Sequence, residues 1–175
     1  MQAIRVDLPL SQEAISTLRA GDVVALYGTA YTARDAVHKR LFAMIEAGEE
    51  LPIPMKGACI YYAGPCPAAP GEVIGPCGPT TSGRVDAYTP MLIELGMSAM
   101  LGKGMRSAEV KAAMRGRAVY FAATGGAGML IARHIVKAET IAFPELGAEA
   151  VTKLMFDGVP AIVAIDAQGN DLFER

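Results

Sequence analysis

The chain has 175 residues, 52% of them hydrophobic and 19% charged, and its 16 Lys and Arg against 18 Asp and Glu leave a formal net charge of −2. This composition holds enough apolar side chain to bury a core, so the sequence predicts one globular domain over residues 1–175 and excludes a disordered chain. The near-balanced charge and the lack of a basic run argue against a nucleic-acid partner or an acidic membrane surface.

The apolar runs are about four to eight residues long, too short to cross a bilayer. The segment MQAIRVDLPLSQEA at the start shows no basic region followed by an apolar stretch, so we expect no signal peptide and a cytoplasmic protein. Cys59, Cys66 and Cys77 are spaced by 7 and 11 positions. That spacing fits neither a disulfide framework nor a paired CxxC metal site, and we expect reduced thiols.

Short apolar runs alternate with helical patterns along the chain. The strands are predicted at residues 23–27, 59–63, 99–101, 119–122 and 161–165. The helices are predicted at residues 12–19, 33–47, 85–95, 108–114, 128–135 and 147–155. Such alternation is typical of a layered α/β domain with a mixed or parallel sheet and helices on its faces.

The segment TARDAVHKR, residues 32–40, directly follows the first of these strands. Thr32 and Asp35 form a T-x-x-D pattern, typical of a helix start in which the threonine oxygen accepts a hydrogen bond from a first-turn amide. We therefore expect Thr32 to cap the helix that follows.

Arg34 and His38 are four positions apart and share a helix face with Leu41, part of an apolar stripe that should face the interior. A cation and an imidazole beside the free N–H groups of a helix start describe, in outline, a carboxylate or phosphate site. The alternative is that Arg34 pairs with Asp35 or another nearby acid and that His38 is a partly exposed helix residue.

Residues 64–81 form a long segment with five prolines and four glycines. A long, stiff loop inside a compact domain is more often functional than incidental, although it could be a surface excursion that proline only rigidifies.

This loop ends in GPTTSGRVD, residues 78–86. Thr80, Thr81 and Ser82 are followed by Arg84, which places three hydroxyls and an arginine at a further predicted helix start, where an anion would be favoured. An ordinary N-cap is the alternative, since Ser and Thr are preferred capping residues.

Two glycine-containing segments complete the candidates. Lys103 lies between Gly102 and Gly104, whose small size lets the backbone approach a ligand, although a solvated turn lysine is the alternative. The segment TGGAG, residues 124–128, does not have the spacing of a dinucleotide fingerprint and is interpreted as close strand–helix packing or a backbone N–H donor site.

Two arginines suit a small dicarboxylate, because each guanidinium can hold one carboxylate through two hydrogen bonds. The sequence contains no H-E-x-x-H, no paired thiols and no Ser-His-Asp elbow. A metal or a strong electrophile would therefore have to come from elsewhere. The candidate groups are the cations Arg34, Arg84 and Lys103, the titratable His38, and the hydroxyls of Thr80 and Thr81.

In this order and near these spacings, the segments TARDAVHKR, YYAGP, GPTTSGRVD, GKG and TGGAG resemble the β subunit of two-subunit class I fumarate hydratase. The same family includes the C-terminal region of the single-chain class I enzymes and the β subunit of L-tartrate dehydratase. The resemblance covers about residues 6–172, and Val85 departs from the common R-M-D form of the motif.

The resemblance implies a single swivelling α/β/α domain, like the mobile domain of aconitase, that closes over an oxygen-sensitive [4Fe-4S] cluster. Three cysteines of an α subunit would bind that cluster, whose open iron acts as a Lewis acid, and the assembly would be (αβ)2. The implied reaction is the reversible hydration of fumarate to (S)-malate. The alternatives are L-tartrate or a related hydroxy-diacid as substrate, or a non-catalytic module that binds small anions.

The resemblance also implies roles for individual residues. Arg34, Arg84 and Lys103 would bind the substrate carboxylates, and Thr80 would be the base that takes the C3 proton of malate. His38, Thr81 and Asp86 would support the site, and none of the three cysteines of this chain would bind the cluster.

Overall fold

The structure is a computed structural model that describes residues 2–124 and 126–174. Its strands are β1 (Ile4–Leu8), β2 (Val23–Thr32), β3 (Cys59–Tyr61), β4 (Ala99–Gly102), β5 (Val119–Ala122), β6 (Ile135–Ala142) and β7 (Val151–Ile165). Its α-helices are α1 (Gln12–Thr17), α2 (Asp35–Glu46), α3 (Thr89–Glu94), α4 (Ala108–Met114) and α5 (Gly128–Ala132), and there are 3₁₀ helices at Ser82–Val85 and Pro144–Glu149. The predicted α/β fold class is confirmed.

The described strands form one mixed sheet in the order β1-β2-β3-β4-β5-β7-β6. Neighbouring strands from β1 to β5 are parallel, and β7 is antiparallel to β2, β5 and β6. Because the 15 residues of β7 pair with both β2 and β5, the strands β2-β3-β4-β5-β7 close into a ring.

Two hydrophobic clusters lie on the two faces of this sheet. Side chains of successive strand residues point to opposite faces, so Cys59 and Tyr61 of β3 join one cluster and Ile60 joins the other. The first cluster includes residues of α1 and α5, whereas the second includes residues of α2, α3 and α4. The sheet therefore has helices packed on both faces.

Several predicted boundaries are wrong. The predicted helix at residues 147–155 is a 3₁₀ turn followed by β7, because Val151 and Thr152 are buried and pair with β6. The helix predicted at residues 85–95 is shortened to α3, since the 3₁₀ helix comes first. Strands β1 and β6 were not predicted, and both expose about half or more of their residues.

Nowhere in residues 2–124 and 126–174 does a helix combine the length and the apolar composition that a bilayer crossing requires.

Candidate active site

The candidate site lies where the parallel strands β2, β3 and β4 end, at one edge of the sheet. Arg34 follows the end of β2, Tyr62 follows β3 and Lys103 follows β4. Carboxyl ends of parallel strands meet at the same edge, which is the usual position of ligand sites in such sheets. The fold therefore brings Arg34 and Lys103, which are far apart in sequence, to the same edge.

The segment carrying the threonines crosses this edge and is held by backbone hydrogen bonds. The Thr80 amide donates to the Tyr62 carbonyl at 2.7 Å, and the Lys103 amide donates to the Thr80 carbonyl at 3.3 Å. The Ser82 amide donates to the Lys103 carbonyl at 2.9 Å, and Thr81 and Lys103 form a parallel bridge. The predicted base and the predicted lysine are therefore on adjacent, hydrogen-bonded segments.

The Thr80 hydroxyl has a fixed orientation. Its Oγ1 donates to the Tyr62 carbonyl at 2.8 Å, so one carbonyl accepts from both the amide and the side chain of Thr80. Since the hydrogen of Oγ1 points at this carbonyl, its lone pairs are left to face other groups. Thr80 is half-buried.

The hydroxyls next to it do not cap a helix, so the N-cap alternative is wrong. Thr81, the exposed residue before the 3₁₀ helix, makes no capping hydrogen bond. Ser82 is buried, and its Oγ is 2.9 Å from the Tyr120 hydroxyl, which donates to the Gly104 carbonyl. Because the Thr80 and Ser82 amides are also bonded, the expectation of free helix-start N–H groups for an anion does not hold for these two residues.

The cations of the site differ in environment. Arg84 and Lys103 are exposed, and neither forms an ion pair with a carboxylate in the described ranges. Arg34 is half-buried, with Nε 3.6 Å from the Glu149 carboxylate, while Nε itself is buried and makes no hydrogen bond. Arg34 thus forms a long ion pair with Glu149, which precedes β7, and this agrees with the alternative in which Arg34 pairs with an acid.

Arg34 also packs against the start of the proline-rich loop. A Cβ added to Gly64 would lie 3.0 Å from the Arg34 guanidinium and 3.0 Å from the Ala148 carbonyl, so a larger residue would crowd this approach. This contact joins the loop at residue 64 to the cation beside it.

The prediction that Thr32 caps α2 is wrong. Strand β2 continues to Thr32, whose buried hydroxyl donates to the Ala150 carbonyl at 3.1 Å and accepts from the Thr152 amide at 2.9 Å. Arg34 is the N-cap residue, without a side-chain capping bond. The Thr32 hydroxyl therefore joins β2 to β7, which no local sequence pattern reveals.

His38 is fully buried, so the partly exposed alternative is wrong. Its Nδ1 is 2.8 Å from the Arg34 carbonyl, and its ring packs against Tyr62 and Tyr88 with centroids 5.7 and 6.0 Å away. Burial lowers the pKa of His38 to about 4; the bond to Arg34 opposes this and the charge of Arg106 adds to it. The ring is therefore neutral near pH 7, with the proton on Nδ1 because its partner is a carbonyl.

Asp86 belongs to a buried ion pair that includes an arginine not singled out from the sequence. Arg106 donates from Nε to Asp86 Oδ1 at 2.7 Å, and the Ser107 amide donates to Asp86 Oδ2 at 2.7 Å. A signal was present, since Arg106 directly follows the Gly-Lys-Gly-Met run and precedes Ser107, the N-cap of α4.

The glycine-rich segment is a packing element. The Cys77 amide donates to the Gly128 carbonyl at 3.1 Å, and a Cβ added to Gly128 would lie 3.1 Å from the Gly78 nitrogen. These contacts support the expectation of close packing for residues 124–128, and the packing partner is the proline-rich loop. Gly125 lies outside the described residues.

The site is an open surface. A groove of about 700 Å³ lies elsewhere in the described part of the chain and is lined by residues such as Pro9, Lys56, Ser98 and Arg117. Because Arg84 and Lys103 are exposed at this edge, a bound anion would be covered only if a further surface closed over it.

The sequence matches the Fumarase C-terminus family over residues 1–175. It is 38% identical over 186 residues to the anaerobic class I fumarate hydratase of Escherichia coli (strain K12), an alignment that covers 99% of this chain and 33% of that protein. It is also 38% identical over 180 residues to fumarate hydratase 2 of Leishmania major, covering 99% of this chain and 32% of that protein. The chain thus spans about a third of the length of these relatives.

A relative of similar length is a protein of Methanocaldococcus jannaschii named as an L(+)-tartrate dehydratase subunit beta. The two are 36% identical over 173 residues, covering 95% of this chain and 89% of that protein. The family resemblance predicted from the motifs is confirmed, and the chain belongs to the fumarase C-terminus family.

Proposed function

We propose that this chain is the β subunit of a two-subunit hydro-lyase that reversibly hydrates fumarate to (S)-malate in the cytoplasm. The observation that carries the proposal is the open edge at which the Lys103 amide donates to the Thr80 carbonyl, while Lys103 and Arg84 are exposed and form no ion pair with a carboxylate of residues 2–124 and 126–174. Such an edge is suited to a dicarboxylate but incomplete without a second surface. The names of the relatives support the reaction.

The cations would hold the substrate carboxylates. Arg34 and Arg84 can each form two parallel hydrogen bonds to a carboxylate, and Lys103 supplies a further positive charge. Removing a proton beside a carboxylate concentrates negative charge on that carboxylate in the transition state. Fixed cations there stabilise the transition state more than the substrate, and one such group contributes about 3 kcal/mol.

Thr80 would receive the C3 proton of malate on Oγ1. Oγ1 would first give up its own hydroxyl proton, which the Tyr62 carbonyl binds in the resting protein, to water or to a group of the partner, because a hydroxyl that keeps its proton is too weak a base. Arg84 and Lys103 would stabilise the resulting alkoxide. As the C3–H bond breaks, its electron pair forms the double bond to C2, and the C2 hydroxyl leaves. We assign the departing hydroxyl to groups of the partner.

The cysteines of this chain do not fit an iron–sulfur cluster. Cys59 and Cys77 are buried, and burial raises the pKa of both thiols to about 12, which opposes the thiolate form that iron requires. No trio of His, Cys, Asp or Glu within residues 2–124 and 126–174 is arranged to hold a metal. We therefore propose that the [4Fe-4S] cluster belongs to an α subunit, in an (αβ)2 assembly. This chain, purified alone without oxygen, should then lack the absorbance of an iron–sulfur cluster at about 400 nm.

L-Tartrate is a second candidate substrate, because a relative whose own length is matched to 89% is named as an L(+)-tartrate dehydratase subunit beta. Tartrate carries the same two carboxylates, so the same cations would bind it.

The test is to combine the chain with an α-type subunit and assay malate, fumarate, L-tartrate and mesaconate. The proposal expects hydration of fumarate and dehydration of malate by the complex. If the complex turns over L-tartrate alone, L-tartrate is the substrate in place of malate and fumarate. If it turns over none of the four diacids, a non-catalytic anion-binding module is favoured.

A further inference from the structure

Arg106, close in the chain to Lys103, is buried, with 5% of its surface exposed. Its Nε donates to Asp86, and one Nη donates to the Thr89 hydroxyl at 2.9 Å and to the Tyr62 hydroxyl at 3.3 Å. The guanidinium also lies 5.1 Å from the ring centre of Tyr62 and 4.9 Å from that of Tyr120. A single buried cation thus contacts three separate segments of the chain, at Tyr62, at residues 86–89 and at Tyr120.

Two of these contacts lead to predicted site residues. Tyr62, which accepts from Arg106 through its hydroxyl, offers its carbonyl to both the amide and the hydroxyl of Thr80. Asp86 directly follows the 3₁₀ helix that carries Arg84. Arg106 therefore connects Tyr62, which holds Thr80, to Asp86, which follows the helix that carries Arg84.

The third contact leads to the lysine. Arg106 is three residues after Lys103, in the same loop between β4 and α4. The Tyr120 hydroxyl, whose ring lies next to Arg106, donates to the Gly104 carbonyl and is 2.9 Å from Ser82 Oγ. The loop with Lys103 and the segment before Arg84 are thus joined on the face where Arg106 lies.

We propose that Arg106 is a positioning residue that sets the relative placement of Thr80, Arg84 and Lys103 without touching the substrate. This rests on the proposed function for those three residues. The planar guanidinium is required, because a lysine ammonium can reach Asp86 but cannot offer fixed donors to Asp86, Thr89 and Tyr62 together.

The first measurement uses the chain by itself. In Arg106→Lys, we expect amide hydrogen exchange to accelerate at least about tenfold at Thr80, Ser82 and Ser107, whose acceptors lie in this network. Asp166→Asn is the matched control, because Asp166 is a fully buried carboxylate that binds the Ala20 amide and the Asn170 side chain at the opposite edge of the sheet. It should leave those three amides protected.

The second measurement separates positioning from stability. In the complex with the α-type subunit, Arg106→Lys should lower kcat at least about tenfold and raise KM for malate, at a temperature where the variant is fully folded. Asp166→Asn should lower Tm with kcat and KM within about twofold of the parent. If Arg106→Lys behaves like Asp166→Asn, with only Tm changed, the proposal is wrong.

A milder variant keeps the test decisive should Arg106→Lys fail to fold. Thr89→Val is nearly isosteric and removes the Arg106 bond to Oγ1 along with the bond from Oγ1 to the Val85 carbonyl. We expect a fall of about threefold or more in kcat, and unchanged kcat and KM would overturn the proposal. If the parent complex turns over none of the diacids, the proposed function fails, whereas the exchange experiment still decides whether Arg106 holds the three segments.

Discussion

The strongest quantitative prediction concerns the buried histidine. His38 is fully buried between Tyr62 and Tyr88, its Nδ1 bonds the Arg34 carbonyl, and its Nε2 has no hydrogen-bond partner in the described structure. Protonation would place a cation in this apolar pocket near Arg106. We therefore predict that acid destabilises the fold through His38.

The magnitude follows from the pKa. Burial lowers the pKa of His38 from 6.5 to about 4, so the unfolded chain takes up a proton between these values while the folded chain does not. In that window the unfolded state binds more protons, and the free energy of unfolding falls as the pH falls. Well above pH 6.5, where His38 is neutral in both the folded and the unfolded chain, it takes nothing from the free energy of unfolding. About 2 kcal/mol is lost at about pH 5, and about 3 kcal/mol once the pH reaches about 4.

The assay is urea unfolding at about pH 7.5 and about pH 5, comparing the parent with His38→Gln. Carboxylates also titrate in this range, so the informative quantity is the difference between the two proteins: the variant should lose about 2 kcal/mol less than the parent. His134→Gln is the matched control, since His134 is half-buried and bonds the Asp157 carbonyl, and it should behave like the parent. Equal acid losses in the parent and His38→Gln would refute the reasoning.

Three further predictions follow from the site. Thr80→Ala should lower kcat for malate about 100-fold or more in the complex, while Thr80→Ser retains most of it; near-normal turnover by the alanine variant would exclude the threonine as base. Arg34→Lys should raise KM and lower kcat by about tenfold together despite keeping the charge, and unchanged steady-state kinetics would exclude two-point binding. Gly102→Ala should cost about 2 kcal/mol in urea unfolding, because the new Cβ would lie 2.1 Å from Ser82 Oγ, and part of that loss should return with Ser82→Ala added; an unchanged free energy of unfolding would contradict the packing.

Those parts of the fold that depend on local pattern could be predicted from the sequence. The strand at residues 119–122 and the helix at residues 108–114 are found as predicted, because an apolar run and an amphipathic stretch each specify their own geometry. His38 was placed on the inward face of its helix from its spacing to Leu41, and both are buried.

What depends on distant partners could not be predicted. Thr32 has the local pattern of a cap, but its hydroxyl forms hydrogen bonds with the start of β7, more than a hundred residues away. Residues 147–155 were predicted as helix because the pairing of β7 with β2 and β6 cannot be read from a window of sequence.

The candidate site divides in the same way. The motifs indicated Thr80, Arg84 and Lys103 through their residue types, but not the hydrogen bonds that join their segments. The position of Arg106 after Gly-Lys-Gly-Met places it near the site, but its role could not be predicted, because its partners Tyr62 and Asp86 come from other segments. A buried polar network is specified by tertiary structure, and only its individual members are visible in the sequence.

The central claim is that this chain supplies half of a divided active site. The most direct measurement is the initial rate of fumarate formation from (S)-malate by this chain alone, by an α-type subunit alone, and by the two combined without oxygen. The account predicts activity only in the mixture. Malate dehydration by this chain alone would contradict it.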